Sequence, residues 1–289
     1  MGRAAYLLLA VTLLAGCSSK PHVIVGSKNF TEQVVLAEII AQQIEKKAGV
    51  AVERKIDLGG TLLAQEALKS GAIDLYPEYT GTALTAILKM PINKDPKAVL
   101  AEVRQGYARW HLSWLDPLGF NNTFAMVVRR AEARQQELTN LTEAAHRAQP
   151  WKLGVGYEFV ERPDGLQGLQ KAYGLRLSGA PVTMDLGLLY TALQNGTIEM
   201  GAGSATDGRL ADSAFTVLAD DRHYFPPYEC AIVARDQTLA EFPQIKAALG
   251  ELAGRISDSR MRQLNAAVDR EHRPASDVAR EFLESGEKP

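Results

Sequence analysis

The alternation of strand and helix that begins at residue 22 constrains this chain more than any other feature. Val23-Ile24-Val25 reads as a short apolar strand ending at Gly26-Ser27. Asn29 stands three residues before Glu32, the spacing of a capping box, and opens an amphipathic helix to about Ala48, closed by Gly49. Residues 51–58 read as a second strand, Gly59-Gly60-Thr61 opens a second helix that stops at Ser70-Gly71, and residues 73–76 form a third strand. Strand–helix–strand–helix–strand predicts parallel pairing through right-handed crossovers, because strands that point the same way need a crossover between them.

Part of this pattern recurs. Leu63-x3-Ala67-Leu68-x2-Gly71-x-Ile73-Asp74-Leu75 matches Leu188-x3-Ala192-Leu193-x2-Gly196-x-Ile198-Glu199-Met200 at a constant offset of 125 residues. Each copy is a helix, a glycine stop and a short apolar strand. Two lobes of similar α/β architecture would each offer the C-terminal end of a strand to a shared cleft, where backbone N–H groups and helix N-termini meet a ligand. Tyr79 and Ser204 occupy corresponding places just past those strands. The chain is expected to leave the first lobe near 118–122, where a helical stretch (96–111) gives way to the extended run 124–128, and to return near 223–228. Lobe I then comprises 22–121 and 226–289, and lobe II 122–225, with helical patterns over most of 239–283.

Composition excludes several functions. With 289 residues, 46% of them apolar, the chain can bury a large core. Its 32 basic and 34 acidic residues are interspersed, so it lacks the concentrated basic face that nucleic acid requires. Residues 4–14 form an apolar run after Arg3, too short to span a bilayer at roughly 20 residues, and Leu14-Ala15-Gly16-Cys17 follows. Residues 1–17 read as a lipoprotein signal peptide ending at a lipidated Cys17, with 18–21 as a polar tether. The expected location is therefore the periplasm or outer cell surface, anchored to the bilayer. Cys230 is then left without a partner, and its apolar surroundings predict burial as a small hydrophobe.

The residues do not suggest catalysis. Five histidines, at 22, 111, 146, 223 and 272, lack metal-ligand spacing, so neither metal nor cofactor is expected. Gly201-Ala202-Gly203-Ser204-Ala205-Thr206 has Thr206 where a dinucleotide loop needs its last glycine, and reads as a glycine-rich turn. An exported enzyme on a two-lobed fold is the alternative, for which catalytic groups distant in sequence would have to converge.

Six ordered motifs carry a resemblance. They are Gly26-Ser27-Lys28-Asn29-Phe30-Thr31-Glu32-Gln33, Tyr76-Pro77-Glu78-Tyr79-Thr80-Gly81-Thr82, Gly119-Phe120-Asn121-Asn122-Thr123-Phe124-Ala125, Glu158-Phe159-x2-Arg162-Pro163-Asp164-Gly165, Ala205-Thr206-Asp207-Gly208 and Phe225-Pro226-Pro227-Tyr228. In this order the mature chain resembles the substrate-binding proteins of osmoprotectant ABC importers, the glycine betaine, choline and carnitine group. The resemblance implies a two-lobed type II periplasmic-binding-protein fold, a monomer, a zwitterionic or cationic ligand, and an ABC permease as partner. In that group a cage of aromatic rings holds a quaternary ammonium head, which has no N–H to donate, and a basic residue holds the carboxylate tail. By motif, Tyr79 and Tyr228 match cage tyrosines, and Phe124 stands where the group usually has tyrosine. Ser204 stands where a further cage ring is usual. Lys28, Thr82 and Arg162 match polar contacts. The missing ring at Ser204 predicts either weak glycine betaine binding or a larger betaine. A binder of another amino acid or zwitterion is the second reading within the same class.

Overall fold

The computed structural model describes residues 22–211 and 214–286. Cys17 and the segment before it lie outside the described residues. Two five-stranded sheets organise the chain. The first contains β1 (His22–Gly26), β2 (Ala51–Lys55), β3 (Leu75–Tyr79) and β4 (Leu112–Trp114). The second contains β5 (Phe124–Arg129), β6 (Leu153–Val155), β7 (Val182–Thr183), β8 (Met200–Ser204) and β9 (Phe215–Leu218). Strand β10 (Cys230–Arg235) returns to the first sheet, giving orders β2-β1-β3-β10-β4 and β7-β6-β8-β5-β9. The β1–β2, β1–β3, β6–β7 and β6–β8 pairs are parallel, as the alternation predicts. In each sheet the central strand, β3 or β8, also pairs antiparallel with the strand that has just arrived from the other sheet. The mixed α/β fold with two lobes follows from this exchange of strands.

Helix α1 (Thr31–Gln43) fills the core beside the first sheet. Val35, Leu36, Ile39, Ile40 and Ile44 recur at helical spacing and are fully buried, each contributing about 1.5–3 kcal/mol. The helix widens through Ile44–Ala48 and ends at Gly49, as expected. Its start differs from expectation. Phe30, not Asn29, is the N-cap, and no side chain caps the helix. Glu32 is instead drawn inward to partners described below. The third strand lies later than the reading of 73–76, because Asp74 is recruited as an acceptor for the Ile24 N–H.

The 125-residue repeat has a structural counterpart. Helix α2 (Thr61–Ser70) stops at Gly71 and leads to β3, and a helix over Leu189–Gln194 is followed by Gly196 and β8. Gly71 and Gly196 adopt nearly the same left-handed backbone, φ 80° and 76°, which a side chain would strain. Cys230 is buried in β10, as read. Between the sheets, Asn121 and Glu229 form an antiparallel bridge, so the two crossings of the chain support one another. The Asn122 N–H donates to the Tyr228 carbonyl at 3.1 Å, and the Tyr228 N–H donates to the Asn121 side chain at 2.7 Å.

Candidate functional site

The first wall is built where β1 and β3 end. Lys28 follows β1, and its ammonium donates to Glu78 Oε1 at 2.6 Å and to Thr61 Oγ1 at 3.3 Å. Glu78 is fully buried and also accepts from the Tyr76 hydroxyl and the Tyr79 N–H, so this ion pair is paid for by several hydrogen bonds. Lys28 Nζ lies 5.0 Å from the centre of the Tyr79 ring, whose stacking partner is Phe30 at 6.4 Å. Burial raises the Tyr79 hydroxyl well above its usual range, as it does for Tyr228. The Tyr-Thr-Gly-Thr run has a steric basis. A Cβ on Gly81 would lie 2.6 Å from the Pro227 carbonyl and 2.8 Å from the Tyr228 ring, so glycine lets Tyr228 sit directly on this turn.

The second wall faces it. Phe124 opens β5 and pairs in register with Ser204 at the end of β8. Its ring is 5.5 Å from Tyr228, edge to face, and 4.8 Å from Phe159. The Arg162 guanidinium lies 5.3 Å from the Phe124 ring centre and 5.8 Å from that of Tyr228. Two of its nitrogens donate to Asp164, at 2.9 and 2.6 Å, and a third donates to Thr82 of the first wall at 3.1 Å. Burial alone would lower the Arg162 pKa, but the Asp164 charge outweighs it and the guanidinium is held protonated. Asp164 also accepts from the hydroxyls of Thr85 (2.9 Å), three residues past the Tyr76–Thr82 motif, and Tyr228 (2.5 Å). Glu158 reaches across as well. Its carboxylate accepts from the Thr61 N–H at 2.6 Å and the Thr61 hydroxyl at 3.1 Å, a position at the N-terminus of α2 where the helix dipole favours an anion.

Lys28, Tyr79, Thr82, Phe124, Arg162, Ser204 and Tyr228, singled out from the sequence, thus fall in two adjoining groups. Arg162 meets Thr82, Phe124 and Tyr228, and Lys28 lies over Tyr79. Ser204 joins them through Asn122, whose side-chain oxygen accepts from the Ser204 hydroxyl. Four carboxylates that organise these groups stand within the quoted motifs but were not singled out as site residues: Glu32, Glu78, Glu158 and Asp164, the last of them the ion-pair partner of Arg162. For Glu32 a signal existed, since it sits on the same helical face as Val35, Leu36 and Ile39, where an acid needs partners. It is 3% exposed and accepts from Tyr79, Asn122, Thr206 and Asn265. Burial raises its pKa, opposed by those four hydrogen bonds. Among the described residues no group of three or more His, Cys, Asp or Glu side chains is arranged to hold a metal ion.

Residues 21–285 match the family described as the substrate binding domain of ABC-type glycine betaine transport systems. The chain is 34% identical over 272 residues to a carnitine transport binding protein of Listeria monocytogenes, covering 93% of this chain and 88% of that one. It is 31% identical to an ergothioneine transport permease/ergothioneine binding protein of Helicobacter pylori, covering 96% of this chain and about half (51%) of that longer protein. Among solved structures, a glycine betaine/carnitine/choline ABC transporter protein superposes with a TM-score of 0.77 at 30% identity, over 91% of this chain and 98% of that one.

Proposed function

Because the chain belongs to the substrate-binding domains of ABC-type glycine betaine transport systems, a family of transport proteins and not of enzymes, we propose that it captures a quaternary ammonium compound between its two walls and delivers it to an ABC permease. The observation that carries the ligand class is the company the rings keep. Lys28 lies over Tyr79, and Arg162 over Phe124 and Tyr228, all within the roughly 6 Å at which an aromatic face attracts a cation. These faces already stabilise positive charge in a buried setting, and a trimethylammonium group makes the same demand. Lys28, Thr82 and Arg162 carry donors for an anionic tail; Arg162 holds Asp164 through Nε and Nη2, which leaves Nη1, now donating to Thr82, to turn to a ligand carboxylate.

Ser204 leaves the second wall without a ring at the place equivalent to Tyr79. The favoured ligand is therefore a betaine larger than glycine betaine, such as carnitine or the trimethylated amino acid ergothioneine. Calorimetry with glycine betaine, choline, carnitine, ergothioneine and the unmethylated amino acid histidine tests this, with carnitine or ergothioneine expected to bind at least ~10-fold more tightly than glycine betaine. Tight binding of glycine betaine would overturn the larger ligand. Binding of an unmethylated amino acid alone would overturn the ammonium class.

Closure of the lobes about the paired crossings 121–122 and 228–229 is the proposed motion, with the lobe boundaries at 121/122 and 225/226. Anchoring through Cys17, which places the protein at the periplasmic or outer face of a membrane, is supported by the apolar run and small residues before it. Replacing Cys17 by serine should release the protein from the membrane fraction, and retention would remove the anchor from this reading.

A further inference from the structure

We propose that Glu32 is a positioning residue that ties the orientation of Tyr79 to closure of the two walls. This rests on the binding reading above and deepens it. Glu32 Oε1 accepts from the Tyr79 hydroxyl at 2.7 Å and from Asn122 Nδ2 at 2.8 Å. Its Oε2 accepts from Asn265 Nδ2 at 2.9 Å and from the Thr206 hydroxyl. Glu32, Tyr79 and Asn265 stand on α1, β3 and the helix Asp258–Asp269, whereas Thr206 follows β8 of the second sheet. Asn122 lies on the crossing between the sheets and is itself held by Ser204. One buried carboxylate thus fixes a cage ring on one wall while gripping the loop that ends the central strand of the other.

The network is polarised for an anion. An ionised carboxylate has about four acceptor sites, and four donors fill them. The Asn265 amide also donates to the Thr206 carbonyl at 2.9 Å. A carbonyl can only accept, so this contact fixes the amide with its nitrogen between Thr206 and Glu32. Separating the walls removes the Thr206 hydroxyl from Oε2 and leaves a buried charge short of a donor, which opposes opening. A neutral amide at position 32 would set an N–H₂ group against Asn122 or Asn265, donor against donor. The same carboxylate that holds the Tyr79 hydroxyl therefore loses its satisfaction when the cleft opens, and the ring and the far wall become one coupled unit.

Glu32→Gln, Thr206→Val and the double variant test this in the full chain. Two readouts are used, the radius of gyration from small-angle scattering without added solute, and calorimetric affinity for carnitine, ergothioneine and glycine betaine. Each single variant should give a larger radius of gyration than wild type and weaken whichever probe the wild type binds by at least ~10-fold. The double variant should be little weaker than Glu32→Gln alone, because both changes cut the same contact. A merely local role for Glu32 in the first lobe would leave Thr206→Val, which touches no group on Tyr79, with wild-type affinity and scattering. That result, or losses that add in full, overturns the proposal. If the wild type binds none of the three probes, the ligand reading fails, and scattering still decides the role of Glu32. If Glu32→Gln does not fold, Thr206→Val decides alone.

Discussion

Both walls of the cleft carry a buried cation–carboxylate pair beside aromatic rings, yet the two pairs are wired differently. Lys28 and Glu78 sit 2.6 Å apart, and the other donors to Glu78, Tyr76 and the Tyr79 backbone, belong to the same strand as Glu78 itself. Arg162 and Asp164 are equally close at 2.6 Å, but Asp164 draws its remaining donors, Thr85 and Tyr228, from across the cleft, and Arg162 donates across it to Thr82. The first pair is completed by folding. The second is completed only when the walls meet. If the walls separate as proposed, the first half stays satisfied and the second does not.

The largest effects should separate these two pairs. Glu78→Ala strands a Lys28 ammonium that is 4% exposed and is expected to cost about 3–5 kcal/mol of folding stability, read from the urea midpoint. Asp164→Ala removes an equally buried partner, but Arg162 can regain water by opening the cleft. Its folding cost should therefore be smaller than that of Glu78→Ala, with scattering shifted toward an open form even when ligand is added. Equal urea midpoints with unchanged scattering would show that both pairs are folding-dependent.

Next in size is the contrast between the ring of Tyr79 and its hydroxyl. Tyr79→Ala removes a ring face worth roughly 2 kcal/mol to a desolvated cation and should weaken ligand about 30-fold with the fold retained. Tyr79→Phe keeps the face and loses the hydroxyl held by Glu32, so its loss should be smaller. Calorimetry that found the two variants equal would assign the effect to the hydroxyl.

Much of this was legible in the sequence where the signal is local and repeated. The glycine stops at 71 and 196, the helix periodicity of 35–44 and the order of strand and helix all depend on neighbours a few residues away. Those elements formed at or within a few residues of the expected places. The seven candidate site residues were reached by motif, and the structure brings them to adjoining positions. What stayed hidden was long-range pairing. Glu32 looked like a capping-box member because Asn29 precedes it by three, but the donors it meets, Asn122, Thr206 and Asn265, are 90, 174 and 233 residues away. Local propensity for a cap lost to satisfaction of a buried charge. The first-lobe partners of Glu158 and Asp164 were hidden for the same reason, since no spacing rule links them to Thr61 or Thr85.

A smaller effect should follow pH. By the 125-residue offset Thr82 of the first wall corresponds to Asp207 of the second. Asp207 accepts from the Arg209 N–H at 2.8 Å, yet burial pushes its carboxyl up to about 6. A raised carboxyl favours the folded state while protonated, so its contribution is complete below pH about 4 and is lost as pH rises through about 6. Asp207→Asn should thus gain on the wild type between pH 4 and 7, by about 1–2 kcal/mol after allowance for partial solvent access. Parallel urea midpoint curves for the two proteins across that range would show that Asp207 titrates alike in both states.

The smallest expected effect comes from making the two walls alike. Ser204→Tyr would place a ring where the second copy lacks one, opposite Tyr79. It would also remove the hydrogen bond to Asn122 and so cost about 1 kcal/mol of stability. A ring face adds about 0.5–1 kcal/mol of attraction for a compact trimethylammonium head and takes away volume. Glycine betaine should therefore bind about 2- to 5-fold more tightly, while carnitine and ergothioneine, whose bodies need that space, should bind more weakly. The ratio of affinities is the sensitive quantity, because a general loosening of the site through Asn122 would lower all of them by one factor. A ratio unchanged from wild type would mean that position 204 shapes the Asn122–Glu32 network and not the space the ligand fills.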